Sequence, residues 1–150
     1  MVFQPEDPGF ADRVRRSFGL QTVMVTIGAE LRTVNPGSVE IVLPFRADLC
    51  QQHGFLHAGI VATLVDSACG YAALTLMSAE AAVLTVEFKA NFLAPAKGRE
   101  FIARGRVVRP GKRISVCTGE VLAFSDGGEK TICLMQATMA SLTDHDGLKD

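Results

Sequence analysis

Hydrophobic positions along the chain change their period several times, and each change marks an element. Phe10, Val14 and Phe18 recur at helical spacing with Arg13, Arg15 and Arg16 between them, and Gly19 follows as a C-cap. A short amphipathic helix is expected over about residues 9–18. From Thr22 to Arg32 the β-branched content is high, Asn35-Pro36-Gly37 carries turn chemistry, and Val39 to Leu43 is a second apolar run, which together predict an opening hairpin. Arg46 to Leu56 has no period. Ala58 to Met77 then runs without Pro and rich in Ala and Leu, predicting one long central helix that begins at His57. That helix is apolar nearly all round. Gly59, Ala62, Asp66, Gly70 and Ala73 share one face of small residues, which another backbone could approach closely. Asp66, the one charge of the segment, is expected where packing is tightest.

Val83 to Phe92 alternates, with Leu84, Val86, Phe88, Ala90 and Phe92 on one face and Thr85, Glu87, Lys89 and Asn91 on the other. This is the pattern of a half-buried strand. Pro95 and Gly98 end it. Arg99–Arg109, Arg113–Phe124 and Lys130–Ala140 follow as strands, separated by Pro110-Gly111 and Asp126-Gly127-Gly128. A hairpin, a long helix and a four-strand meander make an α+β domain: an antiparallel sheet of about six strands curled around one helix. One domain spans residues 1–150, and the polar tail Thr143–Asp150 is expected to fray. The edge strand of such a sheet needs cover, which pairing of two Val83–Phe92 edges in a homodimer would supply.

Composition removes several classes of function. With 15 Lys and Arg against 16 Asp and Glu, the formal charge is -1, and no basic footprint exists for nucleic acid. Cys50, Cys69, Cys117 and Cys133 have no C-x-x-C spacing and lie within apolar runs, as free thiols in a reducing cytoplasm would. Met1 to Pro8 carries two acids and no basic stretch, so no secretory leader is expected. Gly54 to Met77 is long and apolar, but Asp66 at its middle and the lack of Lys or Arg at its ends speak against a membrane span.

The densest chemistry lies in Gln51-Gln52-His53-Gly54-Phe55-Leu56-His57-Ala58-Gly59, followed by Asp66. Four readings compete for it. In acyl transfer to water, the backbone N–H of Ala58 or Gly59 at the helix start stabilises an oxyanion, and a carboxylate activates water or attacks the carbonyl itself. Eight residues separate Ala58 from Asp66, which is about 12 Å along a helix axis. One chain therefore cannot bring both to the same carbonyl, and a two-fold axis must join Ala58 of one subunit to Asp66 of the other. In the second reading Cys50, His53 and His57 form a C-x2-H-x3-H metal triplet, with no second cluster to complete it. The third is a hydratase in which Asp48 and His53, spaced Asp-x4-His, remove and return a proton. The fourth is an acyl-CoA-binding module without catalysis. Arg109, Lys112 and Arg113 crowd the Pro110-Gly111 turn, where they could meet phosphates or simply be solvated.

Gln51, Gly54, His57-Ala58-Gly59 and Leu64-Val65-Asp66, with Val86-Glu87-Phe88-Lys89-Ala90-Asn91-Phe92-Leu93-Ala94-Pro95-Ala96 and Gly111-Lys112, resemble the PaaI-like hotdog-fold acyl-CoA thioesterases. The likeness spans roughly Val39 to Ala140. It implies a hotdog dimer, often a tetramer of two dimers, that hydrolyses acyl-CoA without metal or cofactor. It also implies roles for individual residues. Asp66 matches the catalytic acid, Ala58 the oxyanion donor, Gln51 the amide beside the reacting group, Thr85 a water-placing hydroxyl and His57 the motif histidine. His53, Gly54 and Gly59, with the three cations, are the expected substrate contacts. Ala58 stands where the motif usually has Gly, and Gln51 where it often has Asn.

Overall fold

The computed structural model describes residues 3–143, 147–148 and 150. Its helices are α1 (Phe10–Leu20), α2 (Thr22–Ile27) and α3 (Ala58–Leu74), with a short 3-10 turn at Ala47–Leu49. Its strands are β1 (Glu30–Asn35), β2 (Ser38–Pro44), β3 (Ala82–Phe92), β4 (Glu100–Arg109), β5 (Ile114–Ser125) and β6 (Gly128–Leu142). All pair antiparallel in one six-stranded sheet of order β1-β2-β4-β5-β6-β3. The α+β expectation holds, with α3 packed across the inner face and most extensively on β4.

Close approach of α3 to the sheet depends on two glycines. A Cβ built on Gly105 of β4 would lie 2.2 Å from the backbone of Ala68, and one on Gly119 of β5 would lie 2.4 Å from Val65 Cγ2. Any side chain there would push the helix off the sheet. Val61, Leu64, Val65, Ala68, Cys69 and Ala72 fill this interface and are buried, with Ile41, Leu43, Phe101, Cys117 and Val121 opposite them. The small-residue face of α3 is therefore not the tight one, contrary to expectation. Ala62, Asp66 and Gly70 are only half-buried, and a Cβ on Gly70 would meet nothing within 4 Å.

Four further expectations are corrected. Thr22–Ile27 is helical, because Met24 and Ile27 bury one face of α2 in the core and Gly28, at φ 77°, ends it in a left-handed C-cap. The central helix stops at Leu74, three residues short of Met77. Arg13 is no solvated cation: it is 3% exposed, and its guanidinium donates to the carbonyls of Leu74 (2.8 Å), Met77 (3.1 Å) and Ser78, the negative end of α3. Finally, β3 does not join a meander with β4; the chain crosses from β3 to β4, and β3 becomes the outer edge beside β6. The tail expectation lies outside the described residues at 144–146 and 149, whereas the Asp150 carboxylate accepts from Ser17 Oγ (2.9 Å) and Val83 N–H (2.8 Å).

Candidate active site

The start of α3 is pinned from both sides. Leu56 N–H donates to Ala96 O and His57 N–H to Leu49 O, each at 3.0 Å. His57 is the N-cap, its Nδ1 accepting from Gly59 N–H at 2.9 Å. That bond distinguishes the two candidate N–H donors. Gly59 N–H is already engaged, whereas Ala58 N–H, at the first helical position, takes no partner among the described residues. Gln51 stands beside it. Its side-chain oxygen accepts from His53 N–H, and its backbone N–H donates to Phe55 O at 2.9 Å, closing a turn in which Gly54 adopts φ 82°. Gln51 and Ala58 share an open cavity of about 510 Å3 with Phe55, Leu56, Val61, Phe92, Leu93 and Ile132, lined by no charged group. His53 and Gly54 lie exposed on the same loop.

Asp66 sits two turns along, half-buried on the flank of the helix beside β3. Its Oδ1 accepts from Thr85 Oγ1 at 2.8 Å. Partial burial raises its pKa above the ordinary carboxylate value, and the Thr85 bond opposes that shift. Thr85 reaches Asp66 because β3 bulges. Thr85 pairs with Met139 and Glu87 with Thr138, leaving Val86 as the extra residue. Met139 and Ala137 are fully buried, so Thr85 before the bulge and Phe88 after it, paired with Ala137, face the helix together. The uniform alternation expected of Val83–Phe92 is thereby corrected: Leu84 and Val86 are 50% and 57% exposed. A cavity of about 100 Å3 adjoins Asp66 and Thr85, bounded by Gln21, Ser67, Gly70, Tyr71, Val83 and Asp150.

The predicted residues thus form two groups on one chain, Gln51 with His57 and Ala58, and Asp66 with Thr85. The cation turn forms neither. Lys112 and Arg113 line a groove of about 1030 Å3 with Leu76, Met77 and Ser78, at the far end of α3, and Arg109 is exposed nearby on β4. Two competing readings lose their geometry. Both Asp48 oxygens accept from Arg46, at 3.1 and 2.6 Å, while His53 faces Gln52, so the Asp48–His53 dyad is not assembled. Cys50, His53 and His57 do not gather as ligands, and among the described residues no group of three potential metal-ligating side chains does.

With this geometry in place, comparison with known proteins is decisive: residues 53–130 match the family model of the thioesterase superfamily. The chain belongs to that superfamily. A thioesterase family protein from Silicibacter pomeroyi is 56% identical in its crystal structure, with a TM-score of 0.89 over 90% of this chain and 99% of that one. The 1,4-dihydroxy-2-naphthoyl-CoA hydrolase of Listeria monocytogenes is 27% identical over 115 residues, 77% of this chain and 91% of its own. The PaaI protein of the E. coli phenylacetic acid degradation operon shares the fold, with a TM-score of 0.78 at 17% identity over 93% of this chain and 95% of that one. The molecule is accordingly a hotdog-fold thioesterase, a thioester hydrolase by class, and shares its fold with PaaI.

Several residues around the candidate site were invisible to spacing alone. Gln21, Ser67 and Tyr71 border the Asp66 cavity, yet Gln21 lies forty-odd residues away on another element, where only the break between α1 and α2 brings it near. Cys69, Cys117 and Cys133 are poor nucleophiles. Burial pushes Cys117 up to about 12 and raises Cys69 and Cys133, so thiolates are disfavoured at each. No helix among the described residues is long and apolar enough to cross a membrane.

Proposed function

We propose that this thioesterase hydrolyses an aryl- or medium-chain acyl-CoA to free acid and CoA, at sites shared across a homodimer interface. The separation of the two groups along α3 carries this reading. Ala58 and Asp66 stand about 12 Å apart on one axis, the Asp66 face is open, and β3 is an unpaired edge on which Leu84, Val86, Phe88 and Phe92 are 44–57% exposed. A two-fold axis through that edge, perpendicular to the sheet, would pair the two β3 strands antiparallel, extend the sheet and lay Asp66 of one subunit against Ala58 of the other. Two such dimers back to back would give the tetramer.

In the shared site, Ala58 N–H and the positive end of α3 hold the thioester oxygen while Gln51 aligns the carbonyl. Asp66, its Oδ1 held by the Thr85 hydroxyl, takes a proton from water. The water oxygen bonds to the carbonyl carbon, the C–S bond breaks, and the proton passes to the leaving CoA thiolate. Direct attack by Asp66 would instead pass through an anhydride that water opens. Backbone and side chains of the two subunits carry every step. Phe55, Leu56, Val61 and Phe92 suit an apolar, uncharged acyl group, and the Listeria relative's name is that of an acyl-CoA hydrolase. Arg109, Lys112 and Arg113 would meet the CoA phosphates from the subunit edge. Free, mostly buried cysteines suit a reducing compartment such as the cytoplasm.

A panel of aryl- and alkyl-CoA esters assayed by free-thiol release tests the reading, with Asp66→Asn as the blank. Turnover of at least one class that Asp66→Asn abolishes is expected. Equal thiol release by the two proteins would remove Asp66 from the chemistry, and binding of esters without release would leave a non-catalytic module.

A further inference from the structure

The cavity beside Asp66 has a wall supplied by a residue with no evident structural duty. Gln21 sits at the break between α1 and α2, with φ −78° and ψ 93°. It is the N-cap of α2, a position favouring Ser, Thr, Asp or Asn, yet its side chain caps nothing there. Instead its amide oxygen accepts from Ser67 Oγ on α3 at 3.4 Å. Backbone bonds lock the break: Gln21 N–H donates to Phe18 O at 3.1 Å, and Met24 N–H donates to Gln21 O at 3.0 Å.

Counting hydrogen-bond capacity around the cavity leaves one matched pair. Thr85 donates to Asp66, and Ser67 donates to Gln21. Ser17 donates to Asp150 and lies 3.4 Å from the Tyr71 hydroxyl, which it engages; Val83 N–H donates to the other Asp150 oxygen. Among the described side chains on this wall, the Gln21 amide NH2 remains as a free donor and Asp66 Oδ2 as a free carboxylate acceptor. Between them lies a polar space of about 100 Å3, room for roughly three waters at their liquid volume.

We propose that Gln21 holds the attacking water against Asp66 of its own subunit, the water accepting from the Gln21 amide and donating to Asp66 Oδ2. This rests on the hydrolytic reading above. It assigns the two N-terminal helices a part in the reaction: the break at Gln21 delivers an amide that neither α3 nor the sheet provides. Thr85 fixes one carboxylate oxygen and Gln21 presents water to the other.

Three variants test it. Gln21→Met keeps the shape and removes the donor; kcat should fall about tenfold or more with KM within about twofold and an unchanged melting temperature. Gln21→Asn, which keeps the amide, should recover part of that loss. Combining Gln21→Met with Asp66→Asn should lose no more than Asp66→Asn alone, since both act on one water. Wild-type kcat in Gln21→Met, or losses that multiply in the double variant, would overturn the proposal. An arm independent of turnover follows the Asp66 carboxyl by carbon NMR in Gln21→Glu. A second carboxylate across the cavity should move the Asp66 titration upward, with Asp150→Asn as control for the remaining acid on the cavity and Tyr71 titrating far above the range followed. An unmoved Asp66 titration places Gln21 away from the water and overturns the proposal, even if the wild type proves inactive on every ester. Thiol release by the wild type is what tests the hydrolytic reading itself.

Discussion

The two long faces of α3 are built from residues of similar size and serve opposite ends. On the sheet side, Val65, Ala68 and Cys69 meet Gly105 and Gly119 so closely that a single added carbon would sit 2.2–2.4 Å from the helix. On the other face, Gly59, Ala62, Asp66 and Gly70 are equally small, but a carbon added at Gly70 meets nothing. Smallness in the sheet is demanded by packing within the chain. A carbon added at Gly59 would lie 3.1 Å from His57 Nδ1, but at Gly70 smallness has no such cause, and Gly70 stands one turn from the one carboxylate of the helix. In the proposed dimer that face receives the partner subunit and the substrate.

The sheet side is easiest to break. Gly105→Ala drives a methyl into the Ala68 backbone, and should lose about 3 kcal/mol, the upper range for overpacking. At this chain length the melting temperature should fall by roughly 6–12 °C. A melting temperature within 2 °C of wild type would show that the helix can retreat at little cost. On the open face, Asp66→Asn should lower kcat by about 100-fold or more, equivalent to about 2.7 kcal/mol of the barrier. The same variant should melt higher at neutral pH. Burial raises the Asp66 pKa, so the protonated form is the one the fold favours; stability from this group is complete below the ordinary carboxylate value and lost as pH rises through the raised one. Melting curves of the two proteins should therefore converge in acid. Divergence in acid instead would reverse the sign of the burial effect.

How much of this was legible follows the same division. The α3 start, the Asn35-Pro36-Gly37 hairpin and four strands were readable because local period and turn chemistry agree with the final fold. Thr22–Ile27 was not, since β-branched preference yielded to burial of Met24 and Ile27. The burial of Arg13 was not readable, because nothing within its own helix announces the carbonyls of α3 that it caps. Asp66 stood out as a charge in an apolar run, and Ala58 from its place at the helix start. Thr85 came only from family likeness: a bulge at Val86, which leaves no periodic trace, turns it toward Asp66. Gln21 left no signal, because its approach to Ser67 depends on a helix break and a contact 46 residues apart.

Smaller effects sharpen the account of the open face. Thr85→Val removes the hydroxyl bonded to Asp66, and should cost about 1.5 kcal/mol in kcat, roughly tenfold. Because that bond lowers the Asp66 pKa, the acid limb of kcat/KM should also move up. An unshifted limb would leave Thr85 a bystander. His57→Ala deletes the N-cap of α3 and should lower stability by about 1 kcal/mol in urea titrations. An unchanged midpoint would mean that the pinned loop, and not the imidazole, fixes the helix start.

Division of the site between subunits is tested most directly by mixing two crippled proteins. Ala58→Pro removes the oxyanion N–H at the first helical position, where proline is tolerated, and His57 before it already has the extended backbone proline requires, φ −61° and ψ 137°. Asp66→Asn disables the other half. Unfolded together and refolded, the two inactive chains form heterodimers in which one site regains both Ala58 and Asp66. Shared sites predict recovery of roughly a quarter of wild-type activity from an equal random mixture. A mixture no more active than its parents would place both halves of each site on one chain and contradict the account.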